Sequence, residues 1–191
     1  PWEDWSCRAI LPGTPLRQGS GPLRPSIPQE TQGRLRVNAQ RSFADLSYLS
    51  LLLSLPSEDY IGSLMLVMDP AAIHTARQFL KREIATVLAD DWRRLYTEYH
   101  RDESGCFDAA AIGRRRLKNL CLDYLTELDT SEVHQLCTTQ FHEARNMTDQ
   151  IAALACMVNS GNPARGARLT EFYEQWRNEA LVVDKWFTLQ A

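Results

Sequence analysis

Long apolar runs are absent from this sequence of 191 residues, and so is any excess of positive charge. The longest apolar candidate, residues 49–55, is far shorter than the roughly 20 residues that a membrane helix needs. The formal net charge is −3, whereas general nucleic-acid binders normally present a basic face. The first residues include Glu3 and Asp4, where a secretory signal would carry basic residues. We therefore expect no membrane span, no nucleic-acid partner and no secretion signal.

Paired cysteines are also missing, since the five cysteines are odd in number, widely spaced and form no CxxC motif. Cys121, Cys137 and Cys156 fall within apolar helical patterns, where a free cysteine behaves as a small hydrophobic residue. Stable disulfides are typical of secreted proteins, whereas reducing compartments keep thiols free. The pattern predicts reduced thiols and a cytoplasmic protein.

Motifs for nucleophilic and nucleotide chemistry do not occur, since GxSxG, GxxxxGKS/T and GxGxxG are all missing. The neighbouring acids Glu58–Asp59 and Asp90–Asp91 would point to different sides of a helix. We interpret them as solvated charges rather than as a general acid and its base. The run Arg114–Arg116 is interpreted in the same way, as a solvated face rather than an anion site. The sequence thus predicts no catalytic and no cofactor-binding residue.

Histidine and cysteine side chains occur close together in one segment, at His134, Cys137 and His142. Both side-chain types bind zinc and other soft metals. On one helix, however, the two histidines would be about 80° apart in direction and about 12 Å apart along the axis. That separation is too large for one ion, so we predict surface histidines and a core cysteine instead of a metal site. His74 is predicted at the surface, and His100 in or beside a loop.

The segment His142–Asn146 nearly spells HExxH, a zinc motif of metallopeptidases. That motif works because two histidines four residues apart bind zinc together, while the glutamate activates water. Here Asn146 stands in place of the second histidine, and one imidazole with one amide is a poor zinc pair. We interpret the likeness as accidental and predict that Asn146 caps a helix.

The composition changes near residue 42, because six of the nine prolines and four of the nine glycines lie before it. Since proline and glycine disfavour regular structure, we predict an irregular, disordered tail over residues 1–42. A helical domain is predicted over residues 43–191, with one long helix that starts at Asp69–Pro70 and carries an apolar stripe over residues 73–99. Candidate helix starts lie at Ser42, Ser57, Asp69, Asp108, Ser131, Asn146 and Asn162.

The predicted fold class is therefore all-α, with about seven or eight helices joined by short loops. No alternating pattern of useful length indicates a β-strand. Similar helix lengths and short connections favour antiparallel neighbours, arranged either as a bundle or as an α-solenoid. Composition, periodicity and spacing lead only this far, to an all-α domain that serves as a scaffold.

Six segments of the chain resemble a known family, in the same order. The most specific are Asn146–Asp149, which reads NMTD, and residues 182–191, which read VVDKWFTLQA. Together they resemble the C-terminal helical domain of bacterial aminopeptidase N, a gluzincin zinc metallopeptidase, over residues 43–191. Residues 1–42 show no such resemblance. The six segments are residues 55–60, 68–74, 116–121, 140–149, 151–154 and 181–191.

The resemblance implies a short α-solenoid of stacked helix pairs, similar to ARM or HEAT repeats. In that family the helical domain covers the active site, restricts entry to peptides and packs on the catalytic domain. Zinc is held by the two histidines of HExxH and a later glutamate, and a GxMEN segment binds the substrate amine. None of these occurs here, so no catalytic, cofactor-binding or metal residue carries over. Family members also continue with further helices, which implies frayed last helices in this chain.

Two functions are compatible with these observations. The first is a fragment of a zinc-dependent aminopeptidase that is inactive by itself. The second is a free-standing helical-repeat module that binds a protein or peptide partner without catalysis. The similar segments are long and collinear, which favours the first. A small self-sufficient hydrolase has no support, because no nucleophile–base pair and no metal set is visible.

Overall fold

The computed structural model describes residues 29–40, 45–100 and 108–190 of the chain. Within these ranges the chain forms ten α-helices and no β-strand, so the predicted all-α class is confirmed. None of these helices is both long and apolar enough to cross a membrane. They are α1 (Gln29–Gln40), α2 (Leu46–Leu53), α3 (Glu58–Ser63), α4 (Pro70–Val87), α5 (Ala89–Tyr99), α6 (Ala109–Thr126), α7 (Ser131–Glu143), α8 (Met147–Val158), α9 (Arg165–Trp176) and α10 (Ala180–Thr188).

Local capping bonds define the starts of several helices, as the sequence predicts. The carboxylates of Asp69 and Asp108 accept hydrogen bonds from backbone amides three residues ahead, at 3.0 and 2.7 Å. Pro70 occupies the first turn of α4, where its missing amide hydrogen costs nothing. Ser57 and Asn146 cap α3 and α8 in the same way. These bonds are local, which is why sequence reasoning finds them.

Two helix starts differ from the prediction. Ser42 lies outside the described residues, and α2 is capped instead by Asp45, which accepts bonds from two amides at 2.9 and 3.1 Å. Helix α9 begins at Arg165 rather than directly after Asn162. The side-chain oxygen of Asn162 accepts a bond from the amide two residues ahead at 2.9 Å. That bond closes a short turn before the helix, so Asn162 lies two residues before Ala164, the actual N-cap position.

The predicted single helix over residues 73–99 is wrong, because the structure divides it into α4 and α5 at Leu88. The backbone of Leu88 leaves helical geometry, with φ −110° and ψ 20°. Its side chain is nevertheless 1% exposed, so the apolar stripe continues across the break. Hydrogen bonds from the Leu88 amide to Ile84 and from the Trp92 amide to Leu88 bridge the bend. No glycine or proline marks the position, and the sequence pattern therefore shows no stop.

The predicted irregular tail is wrong for residues 29–40, which form α1. This segment follows Pro28 and contains no proline, so nothing prevents helical backbone there. Leu35 and Ala39 are buried, and α1 packs against α2 and α5. The guanidinium of Arg94 donates to the Ala39 carbonyl at 2.8 Å, and that of Arg36 donates to the Val87 carbonyl at 3.1 Å. Residues 1–28 and 41–42 lie outside the described residues.

Helices that follow each other in sequence pack in pairs: α3 on α4, α5 on α6, α7 on α8, and α9 on α10. Helix α8 then contacts both α6 and α9, which joins successive pairs into a stack. This arrangement confirms the expected short solenoid of helix pairs.

Helix α6 lies at the centre of the domain and packs against α2, α4, α5, α7 and α8. Its inner side chains include Leu117, Cys121 and Leu125, which are all fully buried. Trp92 of α5 stacks on Tyr124 of α6, with ring centroids 4.5 Å apart and an interplanar angle of 4°. The core is therefore built around one helix that is buried on most of its sides.

The end of the stack at α9 and α10 buries little. Phe172 is the one residue of α9 that is fully buried, and α10 has no residue that counts as buried. Leu181 and Phe187 of α10 are 80% and 60% exposed. Helices that bury few side chains gain little stability from packing, so α9 and α10 are expected to be less stable than α6.

Backbone amides of α10 are expected to exchange with deuterium at least about 100-fold faster than those of α6. The reason is that unfolding α10 locally exposes little surface that was buried. Peptide-level hydrogen exchange over residues 180–188 and 117–125 measures both rates in one sample. Equal protection of the two segments would contradict the expectation of a frayed end.

Candidate functional site

A buried ion pair joins α6 to α8 at the middle of the domain. The Lys118 ammonium donates to Asp149 Oδ2 at 2.7 Å, and the two side chains are only 5% and 8% exposed. Asn119 donates to the other carboxylate oxygen of Asp149 at 2.9 Å. Charges this deeply buried are tolerated when they are paired and when the remaining polar atoms are hydrogen-bonded. The pair is therefore part of the interior and not a surface salt bridge.

Gln140 and Tyr96 extend the buried polar network to α7 and α5. The side-chain amide of Gln140 donates to Asn119 Oδ1 at 2.9 Å and to the Asp149 carbonyl at 3.0 Å. The Tyr96 hydroxyl donates to Gln140 Oε1 at 3.1 Å. Burial raises the pKa of the Tyr96 hydroxyl, which therefore remains a hydrogen-bond donor at neutral pH. The network links four helices and fixes their register.

Asn146 completes this network and also caps α8, so the predicted cap is confirmed. Its Oδ1 accepts a hydrogen bond from the Asp149 amide at 2.9 Å, and its Nδ2 donates to Asp149 Oδ2 at 3.0 Å. The NMTD segment therefore contains both partners of this pair of capping hydrogen bonds, Asn146 and Asp149. The position that would hold the second histidine of HExxH is occupied by a helix cap.

The three residues considered as metal ligands have separate surroundings. His134 lies 2.8 Å from Asp129, and Cys137 is buried in the core. His142 contacts the Arg168 guanidinium and lies 3.6 Å from Glu171. Among the described residues, no group of three histidine, cysteine or acidic side chains converges as a metal site would require.

The other two histidines lie where the sequence places them. His74 is exposed and pairs with Glu58 at 2.9 Å. His100 is the C-cap of α5. Residues 101–107, which follow it, lie outside the described part of the chain. The Nε2 atom of His100 is 3.8 Å from a carboxylate oxygen of Glu143. Burial and the nearby Lys118 ammonium lower the pKa of His100. Neither histidine shares a site with a nucleophile or with a third metal-ligating group in the described part.

The prediction that charged runs form solvated faces is partly wrong. Arg115 is buried, whereas Arg116 is exposed, because α6 is surrounded by other helices on most sides. Asp90 is fully exposed as predicted, but the side chain of Asp91 is 13% exposed and faces Arg36 at 3.8 Å. In the other pair, Glu58 lies 2.9 Å from the His74 imidazole. Sequence reasoning cannot identify which charges are buried when their partners lie on other helices.

The cysteines that fell in apolar patterns are core residues, as predicted. Cys121, Cys137 and Cys156 are buried free thiols. Burial raises the pKa of the Cys121 thiol and so keeps it protonated and unreactive. Cys7 and Cys106 lie outside the described residues. Within the described part of the chain, these three cysteines therefore belong to the core.

The chain matches a family model described as a domain of unknown function (DUF3458_C) with ARM repeats, over residues 23–191. The match begins at residue 23, which corrects the expectation of no resemblance before residue 43 as far as residues 23–42 are concerned. Aminopeptidase N of Caulobacter vibrioides is 42% identical over 148 residues, which cover 78% of this chain and 17% of that protein. Aminopeptidase N of Escherichia coli is 36% identical over 166 residues, covering 87% of this chain and 19% of the relative. The chain thus spans less than one fifth of the length of these relatives.

Among solved structures, Legionella pneumophila aminopeptidase A in complex with aspartic acid has a similar fold, with a TM-score of 0.76. The sequence identity is 22%, and the alignment covers 88% of this chain and 21% of that protein. This likeness supports the fold alone. The family match covers most of the chain, and the described helices form the corresponding stack of pairs. The chain therefore belongs to the DUF3458_C family of ARM-repeat domains, the C-terminal helical domain that it shares with aminopeptidase N.

Proposed function

We propose that the chain is the helical part of a zinc-dependent aminopeptidase that removes N-terminal amino acids from peptides. In this proposal the helices pack on a catalytic domain and cover the active site, which restricts entry to peptides. The observation that carries the proposal is the 42% identity to an aminopeptidase N over 148 collinear residues. A cytoplasmic location fits the buried free thiols of the described part.

The donor atoms of the described residues do not fit a zinc site. His134 and His142 each have other partners, and no third ligand lies near either one within the described part. In the proposed enzyme, zinc would be held outside this helical part. This chain contributes no step of peptide-bond hydrolysis, and its role is to shape and enclose the site.

The buried polar network explains how these helices could serve as a cover. Asp149 and its partners tie α5, α6, α7 and α8 together, and every polar side-chain atom of the network named above has a partner within 3.1 Å. Fully satisfied buried networks make a structure rigid and specify one arrangement. A rigid wall keeps the shape of an enclosed chamber constant, which selection of substrates by size requires.

A chimaera tests this function. In the Caulobacter vibrioides aminopeptidase N, the matched segment is replaced by the equivalent residues of this chain. We expect the chimaera to hydrolyse alanine p-nitroanilide within about tenfold of the parent rate, since the fold of the cover is retained. The parent lacking the segment serves as the negative control. The 191-residue chain alone should show no hydrolysis and no stoichiometric zinc by mass spectrometry.

Loss of activity in the chimaera would favour the alternative function, a free-standing helical-repeat module. A folded but inactive chimaera, together with an isolated chain that is a stable monomer, would indicate a free-standing helical-repeat module without catalysis. That result would direct attention to a protein or peptide partner of the exposed helix faces.

A further inference from the structure

A short apolar turn projects from the domain between α3 and α4. Four of its residues expose large apolar side chains to solvent: Leu64 58%, Leu66 106%, Val67 82% and Met68 58%. Scattered exposed apolar residues are normal, but a contiguous group of this kind marks an interaction site. Among the described residues, Leu66 is the most exposed of the large apolar side chains. We call residues 64–68 the apolar turn.

The backbone of the apolar turn is held in place. The amides of Leu64 and Met65 donate to carbonyls of α3 at 3.2 and 3.1 Å. Met68 folds back over Gly62 so closely that a Cβ atom at Gly62 would lie 2.5 Å from the Met68 sulfur. Asp69 then caps α4 and fixes the exit of the turn. The two ends of the turn are thus fixed, which reduces the entropy cost of docking.

Helix α2, which precedes α3 along the chain, packs on α1 and α6 but also exposes apolar side chains. It is apolar on nearly all sides, and helices of that kind are normally buried on every side. Tyr48 and Leu51 are nevertheless about half exposed, at 49% and 55%. Apolar side chains are thus exposed at two places in the first half of the described residues, on α2 and in the apolar turn.

Acidic groups lie on the two helices that flank the apolar turn. Glu58 and Asp59 lie in the first turn of α3, and Asp69 lies at the start of α4. The imidazole of His74 pairs with Glu58, and their side chains are 59% and 41% exposed. An apolar centre with a charged rim is the composition of a protein–protein interface. A partner for this surface needs an apolar recess with positively charged groups around it.

We infer that the apolar turn docks into an apolar recess, with a positively charged rim, on the remainder of an aminopeptidase polypeptide. This inference rests on the proposed function. The relatives supply enough chain for such a recess, since this chain corresponds to 17–21% of their length. Four side chains cover far less than the roughly 800 Å² per partner that a stable complex of separate proteins needs. A covalently linked domain needs no such area, because linkage makes docking intramolecular.

Thiol labelling tests the inference in the chimaera defined above. Leu66→Cys is introduced into both the isolated chain and the chimaera, and iodoacetamide labelling at residue 66 is followed by peptide mass spectrometry. We expect labelling at residue 66 to be at least about tenfold slower in the chimaera. Asp90→Cys is the matched control, because its side chain is fully exposed, at 105%, and lies in a polar region. Its labelling rate should be the same in both proteins.

Leu66→Asp provides a second readout. It should lower the melting temperature of the chimaera and leave that of the isolated chain unchanged. If residue 66 is labelled equally fast in both proteins and the chimaera is active, the docking inference is wrong. The proposed function would then still stand. Protection of residue 66 in an inactive chimaera would support docking and overturn the proposed function. Concentration-dependent protection in the isolated chain would assign the surface to a second copy and overturn the inference.

Discussion

The Asp149→Ala variant is expected to lose about 3–5 kcal/mol of its free energy of unfolding, because Lys118 would remain buried without a counter-charge. Asn119 and Asn146 would lose their acceptor at the same time. Domains are stable by only about 5–15 kcal/mol, so a loss of this size leaves little margin. Urea denaturation followed by circular dichroism, with wild type in parallel, measures the difference.

Two further variants show whether the buried charge causes the loss. Asp59→Ala removes an exposed carboxylate from the first turn of α3 and should cost less than about 1 kcal/mol. The double variant Lys118→Met with Asp149→Leu removes both buried charges and should recover part of the loss, since hydrophobic replacement of a buried pair is often neutral. A loss below about 1 kcal/mol for Asp149→Ala would contradict a structural role for the pair.

The Trp92→Ala variant is expected to lose about 3–5 kcal/mol, because it removes a fully buried aromatic ring from the centre of the core. The ring stacks on Tyr124, whose hydroxyl donates to the Leu53 carbonyl at 2.8 Å. A cavity at residue 92 would therefore loosen the contact between α2 and α6 as well as that between α5 and α6. The same urea titration measures this effect.

The matched control for Trp92 is Phe187→Ala, which removes an aromatic ring that is 60% exposed on α10. Surface changes of this kind stay within about 0.5 kcal/mol. Trp92→Phe should lie between Trp92→Ala and wild type, since it keeps a ring against Tyr124. Similar losses for Trp92→Ala and Phe187→Ala would mean that the core is not centred on α5 and α6.

The parts of the fold that depend on neighbouring residues could be predicted. Asp69, Asp108 and Asn146 cap the helices that follow them, because each capping bond spans only three residues. The break at Leu88 could not be predicted, because it follows from packing and carries no glycine or proline. Helix α1 was obscured by the proline-rich residues before it, although its own segment contains no proline.

The buried polar network was beyond sequence reasoning for a different reason. Lys118 and Asp149 are 31 positions apart, and a lysine in a helical pattern normally indicates a solvated face. Only the packing of α8 on α6 brings the two charges together. A signal was present in the NMTD segment, whose Asn146 and Asp149 carry the reciprocal cap. The sequence shows only that this segment resembles the family. The structure shows that its residues cap α8 and hold the buried charge of Lys118.

The separation of the candidate metal ligands, in contrast, could be predicted from the sequence. Helix geometry alone separates His134 from His142, and the structure gives each of them its own partner on a different part of the surface. The residues by themselves indicated only a scaffold. The identity of the domain came from collinear segments that no single chemical rule would select.

Sequencing the DNA on both sides of this reading frame tests most directly whether the chain is the helical domain of an aminopeptidase. The account predicts an upstream HExxH motif followed by a glutamate ligand, together with coding sequence for further helices beyond Ala191. A start codon and a stop codon that bound this chain, with no peptidase sequence in any frame nearby, would contradict it.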